Sequence, residues 1–206
     1  MLLYLVRHGE TDANRAGLAL GRADVPLNEH GLWQARSLAN ALADEPFAAV
    51  YTSPLSRAAD TARAIATPHG LLPVTEPGLI EMDIGELDGL TFTAIRERYP
   101  ALLARWASPE GHLVALSGSE SLEDVQERAW RPLESLASRH ERETICAVTH
   151  NFVILSVLAR ALGMELSHFR RLRHGLAAIS VLEFRAHGVR VQHLNDSCHL
   201  AQVDNH

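Results

Sequence analysis

The chain contains no lysine: all 19 of its basic residues are arginine. That excludes a lysine Schiff base and any phosphate-binding loop of the GxxxxGK[ST] type. An anion handled by this protein must therefore be held by arginine and backbone amides, and the planar guanidinium suits bidentate phosphate contacts. Cysteine is scarce too. Cys146 and Cys198 are the only 2 and stand at no metal-like spacing, so free thiols in a cytoplasmic compartment are expected. No apolar run approaches a membrane span, and the short apolar start is interrupted by Arg7, unlike a secretory signal. The net charge of −6 argues against general binding to nucleic acid or anionic membranes. Internal repeats, low-complexity segments and long linkers are missing as well.

What remains is an ordinary globular composition, 47% hydrophobic and 21% charged, over 206 residues, enough for one domain with a sizeable core. Leu2–Val6 reads as a buried strand, and Asn28 as the cap of a helix over 29–43 with Leu32, Ala35, Leu38, Ala39 and Leu42 inward. Ala48–Thr52 predicts a second strand. Ser53-Pro54 then predicts a helix start, with Leu55, Ala58, Ala59, Ala62 and Ile65 inside. Residues 69–119, rich in Gly and Pro, read as a loop-rich insertion with short helices at 91–98 and 100–107. A helix from Ser119 or Ser121 to Arg139 is expected to bend or break at Pro132. Thr144–Thr149 predicts a third strand, Asn151–Leu162 an apolar helix stopped by Gly163, and 177–184 with 189–194 an edge hairpin. The alternation predicts an α/β fold, a three-layer α/β/α sandwich with a mostly parallel central sheet.

Ligands of open α/β sheets sit beyond the carboxyl ends of the strands, and three predicted strand ends carry unusual residues. "YLVRHGET" (4–11) ends in Arg7 and His8, "TSPLSR" (52–57) places Arg57 on the next helix, and "VTHN" (148–151) places His150 at a helix N-terminus. Two imidazoles, two guanidiniums and the amides of a helix start suit a phosphoryl group. A neutral histidine can attack phosphorus, alignment and cationic charge do most of the remaining work, and a protonated carboxyl can serve the leaving oxygen. "LIEMDIGELDG" (79–89) supplies four candidates for that carboxyl: Glu81, Asp83, Glu86 and Asp88.

The chain resembles the histidine phosphatase superfamily, also called phosphoglycerate-mutase-like, over almost its whole length. The resemblance is carried by "RHGET" (7–11) with Asn14, "DVPLNEHGLWQA" (24–35), "TSPLSRAADTA" (52–62), "IEMDIGELDGLT" (80–91), "GSESLEDVQER" (118–128), "VTH" (148–150) and "LNDSCHL" (194–200). The last is similar to the ending of small bacterial phosphatases of broad-specificity or α-ribazole phosphatase type. The resemblance implies His8 as a nucleophile that becomes phosphohistidine and Glu81 as the proton donor. It implies a phosphate pocket of Arg7, Arg57 and His150, with Asn14, Leu20, Gly21 and Asn151 at the substrate. It also implies a small-molecule phosphomonoester substrate and no metal or cofactor.

Three departures stand out: Asn151-Phe152 where glycines usually follow the second histidine, Gly-Ser-Glu-Ser for Gly-Gly-Glu-Ser, and no tryptophan in "LALGRADVPL". With the short insertion, these favour hydrolysis over the alternative, mutase-type transfer; a non-catalytic phosphate-binding module would be expected to lose His8 or Glu81. "HFRRLRHG" (168–175) reads as a solvated helix face in preference to a site for an acidic substrate tail. His193, Cys198, His199 and His206 fix no ligand geometry and are not read as a metal site. A homodimer through a sheet edge is left open.

Overall fold

The computed structural model describes residues 1–115 and 119–201. Its strands are β1 (Leu2–Arg7), β2 (Phe47–Thr52), β3 (Val74–Thr75), β4 (Thr144–Thr149), β5 (Ile179–Arg185) and β6 (Gly188–Asp196). They form one 6-stranded sheet in the order β3-β2-β4-β1-β5-β6. β1 to β4 run parallel, and the β5–β6 hairpin adds β5 antiparallel to β1. The fold class is therefore as the alternation predicts.

Alternation along the central strands separates two cores. Leu3, Leu5, Ile145 and Ala147 pack with helices α6 (Leu122–Arg139) and α7 (Asn151–Ala161). Val6, Val50, Cys146 and Val148 pack on the other face with Leu38, Ala58, Ala62 and Ile65 of helices α2 (Glu29–Ala41) and α3 (Ser56–Ala66). Burial on both faces is why these strands read as unbroken apolar runs. A one-turn helix, α1 (Asp12–Arg15), follows β1, and α4 (Phe92–Arg98) and α5 (Pro100–Ala107) lie in the expected insertion.

Three expectations need correction. Leu32 is 44% exposed, and α2 turns Gly31, Gln34, Ala35, Leu38 and Ala39 inward instead. The cause is the loop after β1. A Cβ on Gly31 would lie 2.1 Å from the Glu10 carbonyl oxygen, and one on Gly9 2.6 Å from that of Gly31. Gln34 Oε1 meanwhile accepts from the Glu10 N–H at 2.7 Å. The helix is thus rolled to bring its glycine and its amide against the loop that carries His8. Second, α3 begins at Ser56 rather than Pro54, and its first N–H is taken by Asp24 at 2.7 Å. Ser53 gives α3 no side-chain cap: its hydroxyl accepts from Leu55 N–H at 3.3 Å, ahead of the first turn, and faces His150 Nε2. Third, of the bend or break expected at Pro132, the break does not occur: α6 runs on through it, from a capping box formed by Ser121 and Asp124.

Pairing continues past the strand ends. His8 N–H donates to Thr149 O and Ser53 N–H to Val148 O, both at 3.0 Å. The first residues beyond β1, β2 and β4 are thereby locked side by side, and this rim holds the residues of interest.

Candidate active site

His8 is buried, and its Nδ1 lies 2.7 Å from the Gly9 carbonyl oxygen. A carbonyl can only accept, so the proton is on Nδ1 and the Nε2 lone pair is free. Burial, reinforced by the charges of Arg7 and Arg57, holds His8 well below the usual histidine pKa. It is a neutral, oriented imidazole, which nucleophilic attack requires. The Gly9 N–H donates to Thr61 Oγ1 at 3.2 Å, tying the same loop to α3.

His150 follows β4, and its ring centroid is 5.0 Å from that of His8. Its Nε2 lies 2.7 Å from Ser53 Oγ, which as donor leaves the His150 proton on Nδ1. Burial, then the neighbouring His8 and the cations, keep His150 neutral as well.

Arg7 donates Nη1 to the His174 carbonyl at 2.6 Å, and burial lowers its pKa to about 10. Arg57 is fully buried and donates Nη1 to Ala23 O at 2.8 Å and Nη2 to Gly21 O at 2.7 Å. Among the described residues, Arg7 Nε, Arg57 Nε and His150 Nδ1 are buried without a protein partner. Native proteins seldom leave buried donors unpaired. The charges of Arg7 and Arg57 both act on His8, whose ring adjoins that of His150, so the three unpartnered groups belong to one cluster.

Of the four acids in 79–89, only Glu81 is buried at this rim. Asp83 is 3.6 Å from Arg22, Glu86 accepts from the exposed Tyr99 hydroxyl at 2.9 Å, and Asp88 accepts from Gly21 N at 3.1 Å and Ala23 N at 2.8 Å. Glu81 accepts from Met82 N at 2.8 Å and from Phe152 N, in the first turn of α7, at 3.3 Å. The α7 N-terminus thus already holds a carboxylate as well as facing the anion site. Burial raises the Glu81 pKa against the pull of those amides and of Arg57 and Arg7. A protonated carboxyl persists there to higher pH than in solution.

A cavity of about 480 Å³ opens over the rim, lined by Arg7, His8, Asn14, Leu20, Glu81 and Asn151 among the residues read from the sequence. Arg57, His150 and Gly21 are not on its wall; the charge of Arg57 acts on both His8 and Glu81, the His150 ring adjoins that of His8, and Gly21 holds Arg57. Asn14 Oδ1 accepts from Thr11 N at 3.2 Å, which leaves its NH₂ for a ligand. Glu10 accepts from Asn28 and Arg15 and so fixes the loop after β1.

Arg128 and the role of Glu120 escape sequence reasoning. Arg128 of α6 donates to Gly78 O, Ile80 O and Glu81 O and pairs with Glu120 at 2.7 Å, so it carries the backbone that aims Glu81. Glu120 belongs to the "GSES" stretch; Gly118 lies outside the described residues. Phe152 and Trp106 form an apolar wall, with ring centroids 6.3 Å apart. The 168–175 stretch is only partly a solvated face: His174 is buried and Arg173 lines the cavity, because the chain here turns inward to enter β5. His193, Cys198 and His199 gather around Asp196 at a second, separate pocket, and His206 lies outside the described residues. Among the described residues no group of three or more His, Cys, Asp or Glu is placed to hold a metal ion. No described helix is long and apolar enough to cross a membrane.

The buried neutral histidines make a pH prediction. His8 and His150, and His174 with its pKa pushed down to about 4, bind protons in the unfolded chain but not in the folded one. Their contribution is complete above the unfolded pKa and is lost as pH falls below about 6.5, at up to about 1.4 kcal/mol per pH unit for each histidine. Melting temperature in phosphate-free buffer is expected to fall between pH 7.5 and 5. A flat profile in that window contradicts the neutral assignments.

A family model described as the histidine phosphatase superfamily (branch 1) matches residues 3–197. The chain is 34% identical over 203 residues to the metal-independent phosphoserine phosphatase of Arabidopsis thaliana, covering 98% of this chain and 84% of that protein. It is 33% identical over 186 residues to the adenosylcobalamin/α-ribazole phosphatase of Salmonella typhimurium, covering 89% and 92%. The crystal structure of the Entamoeba histolytica phosphoserine phosphatase in complex with 3-phosphoglyceric acid superposes with a TM-score of 0.87 at 28% identity, covering 97% and 98%.

Proposed function

The chain belongs to the histidine phosphatase superfamily, branch 1, and from that premise we propose that His8 and Glu81 carry its reaction on a phosphomonoester with an apolar body. The protein is a metal-independent phosphatase of small phosphomonoesters that works through a histidine; the residue roles below are our reading. His8 Nε2 attacks phosphorus in line as the ester P–O bond breaks, and the Glu81 carboxyl gives its proton to the departing alcohol. Water then attacks phospho-His8, its proton goes to the Glu81 carboxylate, and phosphate leaves with His8 neutral again. The three non-bridging oxygens are held by Arg7, Arg57 and His150, with Asn14 and the Asn151 backbone beside them.

The observation that carries this reading is a buried cluster: the charges of Arg7 and Arg57 act on a His8 whose Nδ1 is held by Gly9 O and whose ring lies 5.0 Å from that of His150, while Arg7 Nε, Arg57 Nε and His150 Nδ1 have no protein partner. The substrate class is read from the rest of the cavity, whose lining includes Leu20, Ile84, Phe92, Leu103, Trp106 and Phe152. Phe92 is 64% exposed at the mouth and would be covered by a bound apolar group. Each methylene buried there is worth about 0.8 kcal/mol.

Relatives named for phosphoserine and α-ribazole phosphate offer two contrasting models, one small and zwitterionic, one with an aromatic base. A panel of phosphomonoesters graded by apolar area, phosphoserine included, is expected to show kcat/KM rising at least about tenfold from phosphoserine to aryl and long alkyl esters. Equal or better turnover of phosphoserine contradicts the assigned substrate class. Bisphosphate-primed isomerisation of a phosphoglycerate would favour the mutase alternative instead.

A further inference from the structure

The C-terminal "LNDSCHL" stretch has no part in the chemistry above, yet its side chains reach the loop behind Arg7. That loop, 174–178, lies between the 3₁₀ turn Leu166–Arg171 and β5. The His174 carbonyl takes the Arg7 guanidinium, Ala177 N–H donates to the His8 carbonyl at 3.1 Å, and Ala178 O accepts from Arg7 N–H at 3.2 Å. Both residues of the Arg-His pair are thus bonded to one loop. Ala177, fully buried, has φ +53°, a left-handed conformation that an alanine resists and that its surroundings must impose.

The surroundings are the C-terminal stretch. Asn195 Oδ1 accepts from Gly175 N at 2.7 Å, and Asn195 N–H donates to Ser180 Oγ at 3.0 Å. That hydroxyl stands 2.9 Å from His174 Nε2. His199 Nε2 lies 3.0 Å from the Ala177 carbonyl and donates to it. Asn195 itself sits at φ +54°, which asparagine tolerates better than most residues, where the pairing of β5 with β6 is irregular. The bulge turns its amide inward toward Gly175.

We infer that Asn195 and His199 form a clamp that holds the 174–178 loop in its strained shape and thereby aligns Arg7 for phosphate. They are positioning residues, acting through the His174 carbonyl, and the inference rests on reading Arg7 as a phosphate ligand. His174 stays neutral, so the clamp carries no charge of its own beside Arg7.

The test uses three replacements. Asn195→Gly keeps the backbone N–H and the left-handed conformation and removes only the acceptor for Gly175. Its KM for an aryl phosphate and its vanadate inhibition constant are expected to rise about tenfold, with a smaller change in kcat. Asn195→Asp keeps an acceptor oxygen and is expected to stay near wild type, a rescue that a general packing role would not give. His199→Gln, which retains an N–H at a similar reach, is expected to outperform His199→Ala. Wild-type KM and vanadate affinity in Asn195→Gly overturn the clamp, as does an Asp variant impaired as badly as Gly. Arg7→Ala separates the two levels. Unchanged vanadate affinity there refutes the role of Arg7 itself, whereas a loss confined to Arg7→Ala refutes only the clamp.

Discussion

Replacing His8 by alanine is expected to lower kcat on every phosphomonoester by about 10⁵-fold or more, because the covalent route is removed rather than weakened. The fold should survive. His8 is buried at the end of β1, and its one side-chain partner is its neighbour's carbonyl, so the change leaves a small cavity and no orphaned charge. Vanadate or phosphate should still bind, since Arg7, Arg57 and His150 remain. Steady-state kinetics with equilibrium phosphate binding checks both halves. Retained turnover would remove His8 from the mechanism, and lost phosphate binding with an intact fold would make it a ligand rather than a nucleophile.

The second large effect concerns Glu81. In Glu81→Gln, kcat/KM for an alkyl phosphate is expected to drop by about 10²- to 10⁴-fold, whereas that for p-nitrophenyl phosphate should fall far less. A nitrophenolate leaves without a proton, and kcat/KM reports only the steps up to phosphoryl transfer. Burial raises the Glu81 pKa, so the wild-type alkyl-ester profile should decline as pH rises through that value. The Gln variant should lack that limb. The linkage has the same sign. The folded protein holds this proton more tightly than the unfolded chain, so the Glu81 contribution is complete below the unfolded pKa and is lost as pH rises through the folded one. The Gln variant should therefore gain stability relative to wild type on the alkaline side. An equal loss on both esters would assign Glu81 to phosphate binding instead of proton transfer.

Much of this site was legible in the sequence because its parts stand at strand ends. Arg7, His8 and His150 each follow a short apolar run, and the parallel order of β2, β4 and β1 brings such ends together wherever they lie in the chain. Glu81 could be named only by resemblance, since Asp83, Glu86 and Asp88 share its local pattern and only tertiary burial separates them. Arg128 was invisible for another reason: it acts on backbone carbonyls, which leave no side-chain pattern to read. His174 looked like part of a basic surface because its partners, Ser180 and Asn195, come from a hairpin that follows it. Ser53 looked like a cap because Ser-Pro is a helix-start pair. Its hydroxyl instead links Leu55 N–H to His150, nearly a hundred residues away, and Asp24 supplies the bond to the helix. In each miss a contact distant in sequence displaced a local preference.

Phe152 shows how one departure from the family pattern changes a site. Its backbone N–H holds Glu81, as any residue there would, but its ring with Trp106 turns one wall apolar. Different atoms of one residue thus touch the proposed proton donor and line the proposed substrate wall.

The central claim is that phosphate passes through a covalent bond to His8 Nε2. Its most direct test is rapid mixing with a ³²P-labelled phosphomonoester, a denaturing alkaline quench that spares phosphoramidates, and mapping of the labelled peptide. The account predicts label on the peptide containing His8 in wild type, more of it in Glu81→Gln, where hydrolysis of the intermediate is slowed, and none in His8→Ala. Label on another residue, or full turnover without labelled protein at any mixing time, would contradict it.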